Sequence, residues 1–220
     1  MDKVTRIIIV DDHSMFREGI KLLIEKEGLG VVIGEAENGK AFLDMLEHLD
    51  PDLVLMDIEM PVMDGVEATE KAKVYRPDLK ILALSMLSNK SSYTQMIRAG
   101  AMGFVLKTSG KQELEKAIKT VTGGDCYFSN ELLRQIIVNS GTQHTGEGTS
   151  VGAGPEFTER ELEVLHYFCK GLTAKEVADR LCRSIKTIEA HRSSLLEKTN
   201  TRNTINLVLY AIKNKLVDIH

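Results

Sequence analysis

The sequence predicts an α/β chain in which a five-stranded, doubly wound parallel sheet is followed by a separate all-α unit. Three observations predict it. Apolar runs without alternation, such as Leu53-Val54-Leu55-Met56, read as strands buried on both faces, and they recur between helix-like stretches. Several of these runs end abruptly in a polar or charged residue, as β-strands feeding a crevice do. Beyond a glycine-rich stretch ending at Gly154, strand-like runs stop and only helical periodicity remains.

The first strand is Arg6-Ile7-Ile8-Ile9-Val10, running into Asp11-Asp12. Met15 to Lys26 reads as a helix whose inward stripe is Phe16, Ile20, Leu23 and Ile24. Val31 to Glu35 is a second strand. Lys40 to Leu49 is amphipathic, with Phe42, Leu43 and Leu46 on one side. The third strand delivers Asp57, and Met60-Pro61-Val62-Met63-Asp64-Gly65 turns the chain away. Asp64 is placed to cap a helix reaching about Tyr75, which Pro77-Asp78 closes. Lys80 to Leu84 ends in Ser85. A short helix, Ser88 to Ala99, leads through Gly100-Ala101-Met102 into the fifth strand, Gly103 to Leu106, which ends in Lys107. The last helix of this part, Gln112 to Val121, sets Leu114, Ala117, Ile118 and Val121 at helical spacing.

Gly123-Gly124 breaks the pattern. Ser129 is placed to cap a short helix through Leu132, Leu133, Ile136 and Ile137. Asn139 to Gly154 then holds five glycines among Ser, Thr and Gln with no aromatic, which is the composition of a flexible linker. The chain is therefore divided at 1–123, 124–154 and 155–220. In the last part, Thr158-Glu159-Arg160-Glu161 has the form of a capping box ahead of Leu162, Val164, Leu165 and Phe168, with Gly171 as the stop. Thr173 caps a second helix that faces Val177, Ala178 and Leu181 inward. Ser184 opens a third, Lys186 to Lys198, with Ile188, His191, Leu195 and Leu196. Asn203 begins a fourth, with an inner stripe of Ile205, Val208, Leu209, Ile212 and Leu216. Two short helices joined by a tight turn, the second opening on Ser-x-Lys-Thr, read as a helix-turn-helix.

Composition narrows the function classes. With 220 residues, 43% hydrophobic and 27% charged, the chain can bury a core and is not a disordered sequence. No apolar run approaches bilayer length, and no basic-then-apolar leader opens the chain, so the expectation is a cytoplasmic protein without a membrane partner. Cys126, Cys169 and Cys182 are widely spaced and read as free buried thiols. From Pro155 onward there are eleven Lys+Arg against nine Asp+Glu, or +2, which leaves −6 of the total −4 to the rest. An acidic front and a mildly basic back point to different partners.

If the strands are parallel, four strand ends bring Asp11-Asp12, Asp57, Ser85 and Lys107 to one edge of one sheet. Two carboxylates about 4 Å apart repel by roughly 4 kcal/mol at an effective dielectric of about 20. Three together call for protonation or a cation. Mg2+ suits them, since it takes oxygen ligands and pairs with a few carboxylates plus phosphate oxygens. Asp57 can then attack a phosphoryl group in line, with Lys107 pairing one phosphoryl oxygen and Ser85 donating to another. For a single Asp, a polar cap on a buried strand is the plainer explanation. Five groups on four strand ends make an assembled site.

Asp11-Asp12, LVLMDIEMP, Ser85 after ILAL, and GFVLK resemble the receiver domain of bacterial two-component response regulators over about residues 5–122. The resemblance implies a flavodoxin-like receiver. Asp57 would take a phosphoryl group from the phosphohistidine of a sensor histidine kinase. Asp11, Asp12, Asp57 and the Glu59 backbone carbonyl would hold Mg2+. Ser85 and Phe104 would form the switch, the hydroxyl moving to the phosphoryl group and the ring filling the space it leaves. Glu59 and Leu87 fall where the family varies and tunes the phosphoryl lifetime. A phosphoryl group adds about two negative charges and strong acceptors, so it biases a two-state element through contacts such as those of Ser85 and Lys107.

FTERELEVL, the segment Gly171 to Ala178, and SIKTIEAHRSSLLEKTN resemble the LuxR-type helix-turn-helix of NarL/FixJ regulators over about residues 155–217. The resemblance puts Ser184, Lys186, Thr187, Glu189, Ala190, Arg192 and Ser193 toward double-stranded DNA. Thr187 and the helix's first amides suit phosphates, while Lys186 and Arg192 suit phosphates or guanine edges. Glu189 can accept from cytosine or pair with Arg192. Arg183 and Ile185 depart from the usual apolar residue and proline. On the fourth helix, Leu207, Tyr210 and Ala211 are left over as a surface for a homodimer whose formation follows phosphorylation.

The function expected is a phosphorylation-dependent transcriptional regulator without substrate turnover. An aspartyl-phosphate phosphatase usually has a second Asp two residues after its nucleophile, where this chain has Glu59. A flavin-binding protein would carry a phosphate loop where this chain has Asp11-Asp12. A regulator acting without phosphorylation would not need the full acidic set.

Overall fold

The computed structural model describes residues 4–86, 90–128, 157–201, 203–214 and 216–217. The chain divides into two compact units, Met1–Phe128 and Ser129–His220. The expected helix near Leu132 to Ile137 and the glycine-rich stretch 139–154 lie outside the described residues, as does Leu87.

The first unit alternates β1 (Arg6–Val10), α1 (Ser14–Lys26), β2 (Val31–Ala36), α2 (Gly39–Leu46), β3 (Leu53–Asp57), α3 (Gly65–Tyr75), β4 (Lys80–Ser85), α4 (Lys90–Ala99), β5 (Gly103–Leu106) and α5 (Lys111–Thr122). The strands are all parallel, in the order β2-β1-β3-β4-β5. The order reverses between β1 and β3, the place where an open α/β sheet leaves a crevice at its carboxyl edge. Every residue of β3 is buried, which is why its sequence shows no alternation. One face carries Ile7, Ile9, Leu53, Leu55, Leu82, Leu84 and Val105 against Ile20 and Ile24 of α1 and Leu114, Ala117, Ile118 and Val121 of α5. The alternate positions Ile8, Val54, Met56, Ile81 and Ala83 are equally buried on the other face.

Local chemistry sets the element ends. The Asp64 side chain accepts from the Glu67 N–H at 2.8 Å and starts α3 as its spacing foretold. Gly65 has no substitute there, since a Cβ would overlap the Asp57 carbonyl oxygen. Val62 takes a positive φ of 69° in the same loop, closed by the Met63 N–H donating to the Pro61 carbonyl at 2.8 Å. Helix α2 stops at Leu46 rather than Leu49, where His48 and Leu49 both turn their amides onto the Met45 carbonyl. The first unit runs past Gly123 because Tyr127 bridges to Gly103 on the sheet edge.

The second unit holds α6 (Glu159–Cys169), α7 (Ala174–Arg180), α8 (Ile185–Thr199) and α9 (Thr204–Lys213). Thr158–Glu161 and Thr173–Glu176 are complete capping boxes, and Ser184 and Asn203 cap α8 and α9. Val164, Leu165, Phe168, Val177, Ala178, Ile188, Leu195 and Val208 make the core. Glu161 is buried beneath it. Its carboxylate accepts from Lys198 Nζ at 2.8 Å, Ser194 Oγ at 2.7 Å and the Thr158 N–H at 2.8 Å, tying α6 to α8.

Two expectations are corrected here. Leu207 and Ala211 are fully buried core residues, while Leu209 and Tyr210 are partly exposed. The inner face of α9 is therefore rotated from the one read off the sequence. Of the three free cysteines only Cys169 is buried, its thiol pushed up to about 12 by burial, whereas Cys126 is half-buried and Cys182 exposed.

Candidate functional site

Parallel register brings the carboxyl ends of β1, β3, β4 and β5 side by side. Val10 pairs with Met56, Asp57 with Leu84, and Ser85 with Leu106. Asp11 and Lys107, just past β1 and β5, and Asp57 and Ser85, the last residues of β3 and β4, therefore lie along one edge of the sheet. Asp11 is fully buried, its N–H donating to the Ala36 carbonyl at 3.0 Å. Asp57 is buried and Asp12 exposed. Asp11, Asp12, His13 and Asp57 each offer a ligand atom, all within 4.8 Å of one another.

Lys107 closes the cluster. Its Nζ donates to Asp57 Oδ2 at 2.7 Å and lies 2.7 Å from Asp11 Oδ2. The same ammonium forms an ion pair with Asp11 Oδ2, an oxygen of a fully buried carboxylate. One ammonium thus serves two buried carboxylates. Burial pushes the Asp57 carboxyl above its ordinary value, Lys107 opposes this, and the neighbouring Asp11 charge adds to it. Burial works against the Lys107 ammonium, but bonding to Asp11 and Asp57 outweighs that and holds it above the usual lysine value. A site with one cation for two carboxylates remains short of positive charge.

The structure brings Asp11, Asp12, Asp57 and Lys107 together. Ser85 is buried on the next strand, and its hydroxyl donates to the Met86 carbonyl at 2.8 Å rather than into the cluster. The Phe104 ring is buried against the edge of Tyr93, with centroids 5.6 Å apart. The Glu59 side chain is exposed in the loop after β3. Three neighbours escaped the sequence reading. His13 Nδ1 stands 2.7 Å from Asp12 Oδ1. The Phe16 ring lies 5.0 Å under the Lys107 ammonium, and Arg17 Nη1 donates to the Asp11 carbonyl at 2.6 Å. Phe16 was legible only as core. Arg17 stands six residues after Asp11, across the turn into α1, and that spacing carried no sign of a backbone contact.

In the second unit, the Ser184 hydroxyl accepts from the Thr187 N–H at 3.1 Å, and the two hydroxyls lie 2.8 Å apart at the start of α8. Ser184, Lys186, Thr187, Ala190 and Ser193 are exposed along the helix. Arg192 Nη2 pairs with Glu189 Oε2 at 2.6 Å, so the solvated ion pair is realised in this structure. Arg183 and Ile185 are both exposed, which is why neither departure disturbs the core.

Known proteins match both units. Residues 7–119 match the family of response regulator receiver domains, and residues 155–211 match the bacterial regulatory proteins of the LuxR family. The oxygen regulatory protein NreC of Staphylococcus carnosus is 34% identical over 217 residues, covering 97% of this chain and 99% of that protein. The response regulator GacA of Pseudomonas aeruginosa is 32% identical over 216 residues, covering 97% and 98%. Among solved structures, RcsB of Salmonella typhimurium is 28% identical over 94% of this chain and 98% of its own, with a TM-score of 0.59. A complex of RcsB with DNA aligns at a TM-score of 0.58 with 27% identity, covering 96% of this chain and 99% of that one. Among the described residues, no helix is long and apolar enough to cross a membrane. A receiver fold with its acidic crevice, joined to a capped helix-turn-helix and matched along nearly the whole chain, makes this protein a transcriptional response regulator of the NarL/FixJ type.

Proposed function

We propose that Asp57 is the phosphoacceptor and that its phosphorylation governs DNA binding by α8. The observation that carries this is the convergence of Asp57, Asp11 and Lys107 within 2.7 Å contacts, beside Asp12. A divalent cation fits this donor set. The ligands are hard carboxylate oxygens, Asp11 and Asp57 are both buried, and the one Lys107 ammonium they share does not balance the acids. Asp11, Asp12, Asp57 and the Glu59 backbone carbonyl would hold Mg2+. When bound, the ion would offset the charge of the carboxylates and of phosphoryl oxygens.

An Asp57 carboxylate oxygen attacks phosphorus in line as the bond to a sensor kinase's phosphohistidine nitrogen breaks, and the departing imidazole keeps the electron pair. Lys107 then moves from Asp57 Oδ2 to a phosphoryl oxygen. Ser85 trades the Met86 carbonyl for another, and Phe104 follows into the space vacated. No further substrate is turned over. The recognition surface is Ser184, Lys186, Thr187, Glu189, Ala190, Arg192 and Ser193, with Thr187 and the first amides of α8 set for phosphates. A homodimer formed on phosphorylation would double this surface, with Leu209 and Tyr210 among the partly exposed residues of α9 available to it. A target of double-stranded DNA places the protein in the cytoplasm.

Acetyl phosphate or phosphoramidate with Mg2+ should label the chain once, and Asp57→Ala should take up no label. Stoichiometric labelling of that variant would reject the assignment.

A further inference from the structure

The end of the first unit is fastened to the strand that carries Phe104. After α5 the chain turns at Gly124, whose φ is +95°, and Tyr127 forms a parallel bridge with Gly103. The Tyr127 N–H donates to the Met102 carbonyl at 3.0 Å, and the Phe104 N–H donates to the Tyr127 carbonyl at 2.9 Å. Strand β5 is the last of the sheet, so these bonds cover an edge that would otherwise be open. Phe128 then sets its ring 5.6 Å from that of Phe104, tilted by 39°.

Phe104 also meets Tyr93 in a T-shaped arrangement, the ring planes at 80°. The Tyr93 hydroxyl lies 3.5 Å from the Met86 carbonyl, the same oxygen that the Ser85 hydroxyl holds at 2.8 Å. Ser85, the Met86 carbonyl, Tyr93, Phe104 and Phe128 thus form one unbroken line of contacts. It begins beside Asp57 and ends at the root of the segment leading to the second unit.

We infer that Tyr127 and Phe128 are the reporter of the phosphorylation site, clasped to β5 while Asp57 is free and released when Ser85 and Phe104 engage a phosphoryl group. The inference rests on the switching roles proposed above for those two residues. A bridge one residue long is weak alone and depends on the ring contact behind it. If Phe104 moves toward the space left by Ser85, its ring cannot keep both neighbours at their present separations. The clasp is then the differential contact that distinguishes two states, which is what coupling requires. Coupling is reciprocal, so loosening the clasp must favour the occupied site.

The test uses the full chain with beryllofluoride and Mg2+ as the phosphoryl mimic, and reads amide hydrogen exchange by NMR. Beryllofluoride should speed exchange at the Phe104 and Tyr127 amides about fivefold or more, while the Ile8 amide in the sheet centre keeps its rate. Phe128→Ala should bind beryllofluoride about fivefold more tightly, and Phe128→Leu should fall between it and the wild type. Beryllofluoride that binds at Asp57 yet leaves both amides unchanged overturns the clasp, as does a Phe128→Ala affinity equal to or weaker than wild type. The exchange arm uses the unmodified chain, so it does not depend on a variant folding. If beryllofluoride perturbs neither Asp57 nor Ser85, the phosphoacceptor reading itself falls, a result separable from failure of the clasp.

Discussion

Replacing Glu161 by Gln isolates the charge that ties α6 to the recognition helix. The carboxylate is buried yet accepts from Lys198, Ser194 and Thr158. Burial alone would raise its pKa, but these donors prevail and lower it from 4.5 to about 2. The folded state therefore prefers the ionised form. That contributes about 3 kcal/mol, fully present above the unfolded value of 4.5 and lost as pH falls toward 2. Roughly half of it is gone by pH 3. Gln keeps the shape of the protonated acid and the capping-box geometry but not the charge. Urea unfolding of the full chain, followed by the methyl signals of Leu165, should show the variant less stable by about 3 kcal/mol at pH 7 and by about half that at pH 3. An equal deficit at both values would mean that the loss is one of packing. No deficit at pH 7 would mean that the Lys198 contact contributes nothing.

Asp57→Asn should melt above the wild type at pH 7, because a buried acid whose pKa is raised costs stability once ionised; the gap should close below pH 3.8 and narrow with added Mg2+. A variant melting below the wild type in Mg2+-free buffer would contradict the electrostatic reading of the crevice. Lys107→Met leaves two buried carboxylates without their ammonium, so differential scanning calorimetry should show a loss of about 3 kcal/mol or more without Mg2+, largely restored by millimolar Mg2+. An equal loss with and without the ion would contradict it. Lys186→Ala and Arg192→Ala should each weaken DNA binding in footprints and, if they contact phosphates, lower the slope of log affinity against log salt by about 1.

Much of this was legible because it is local. The unalternating Leu53–Met56 run could only be a strand covered on both faces, and that put Asp57 at a strand end. Asp64, Thr158, Thr173, Ser184 and Asn203 announced helix starts because a cap is a short-range hydrogen bond. What escaped depends on phase or on distant partners. In α9, Ile205, Leu207, Val208 and Leu209 are all apolar, so two faces compete, and the packing of α6 and α8 chose Leu207. Cys182 is apolar enough to suggest burial but sits with a φ of 50° in the exposed turn before α8. Tyr127 and Phe128 follow a Gly-Gly break and are too few to read as a strand. Their place on β5 is set by the Met102 and Phe104 backbone, which no sequence window contains.

The most direct test of the whole account is to phosphorylate the chain with acetyl phosphate and Mg2+, reduce it with borohydride, and sequence the peptides by mass spectrometry. Reduction of the acyl phosphate turns the acceptor aspartate into homoserine, and that conversion should occur at Asp57 alone. Conversion at another carboxylate, with Asp57 untouched, would contradict it.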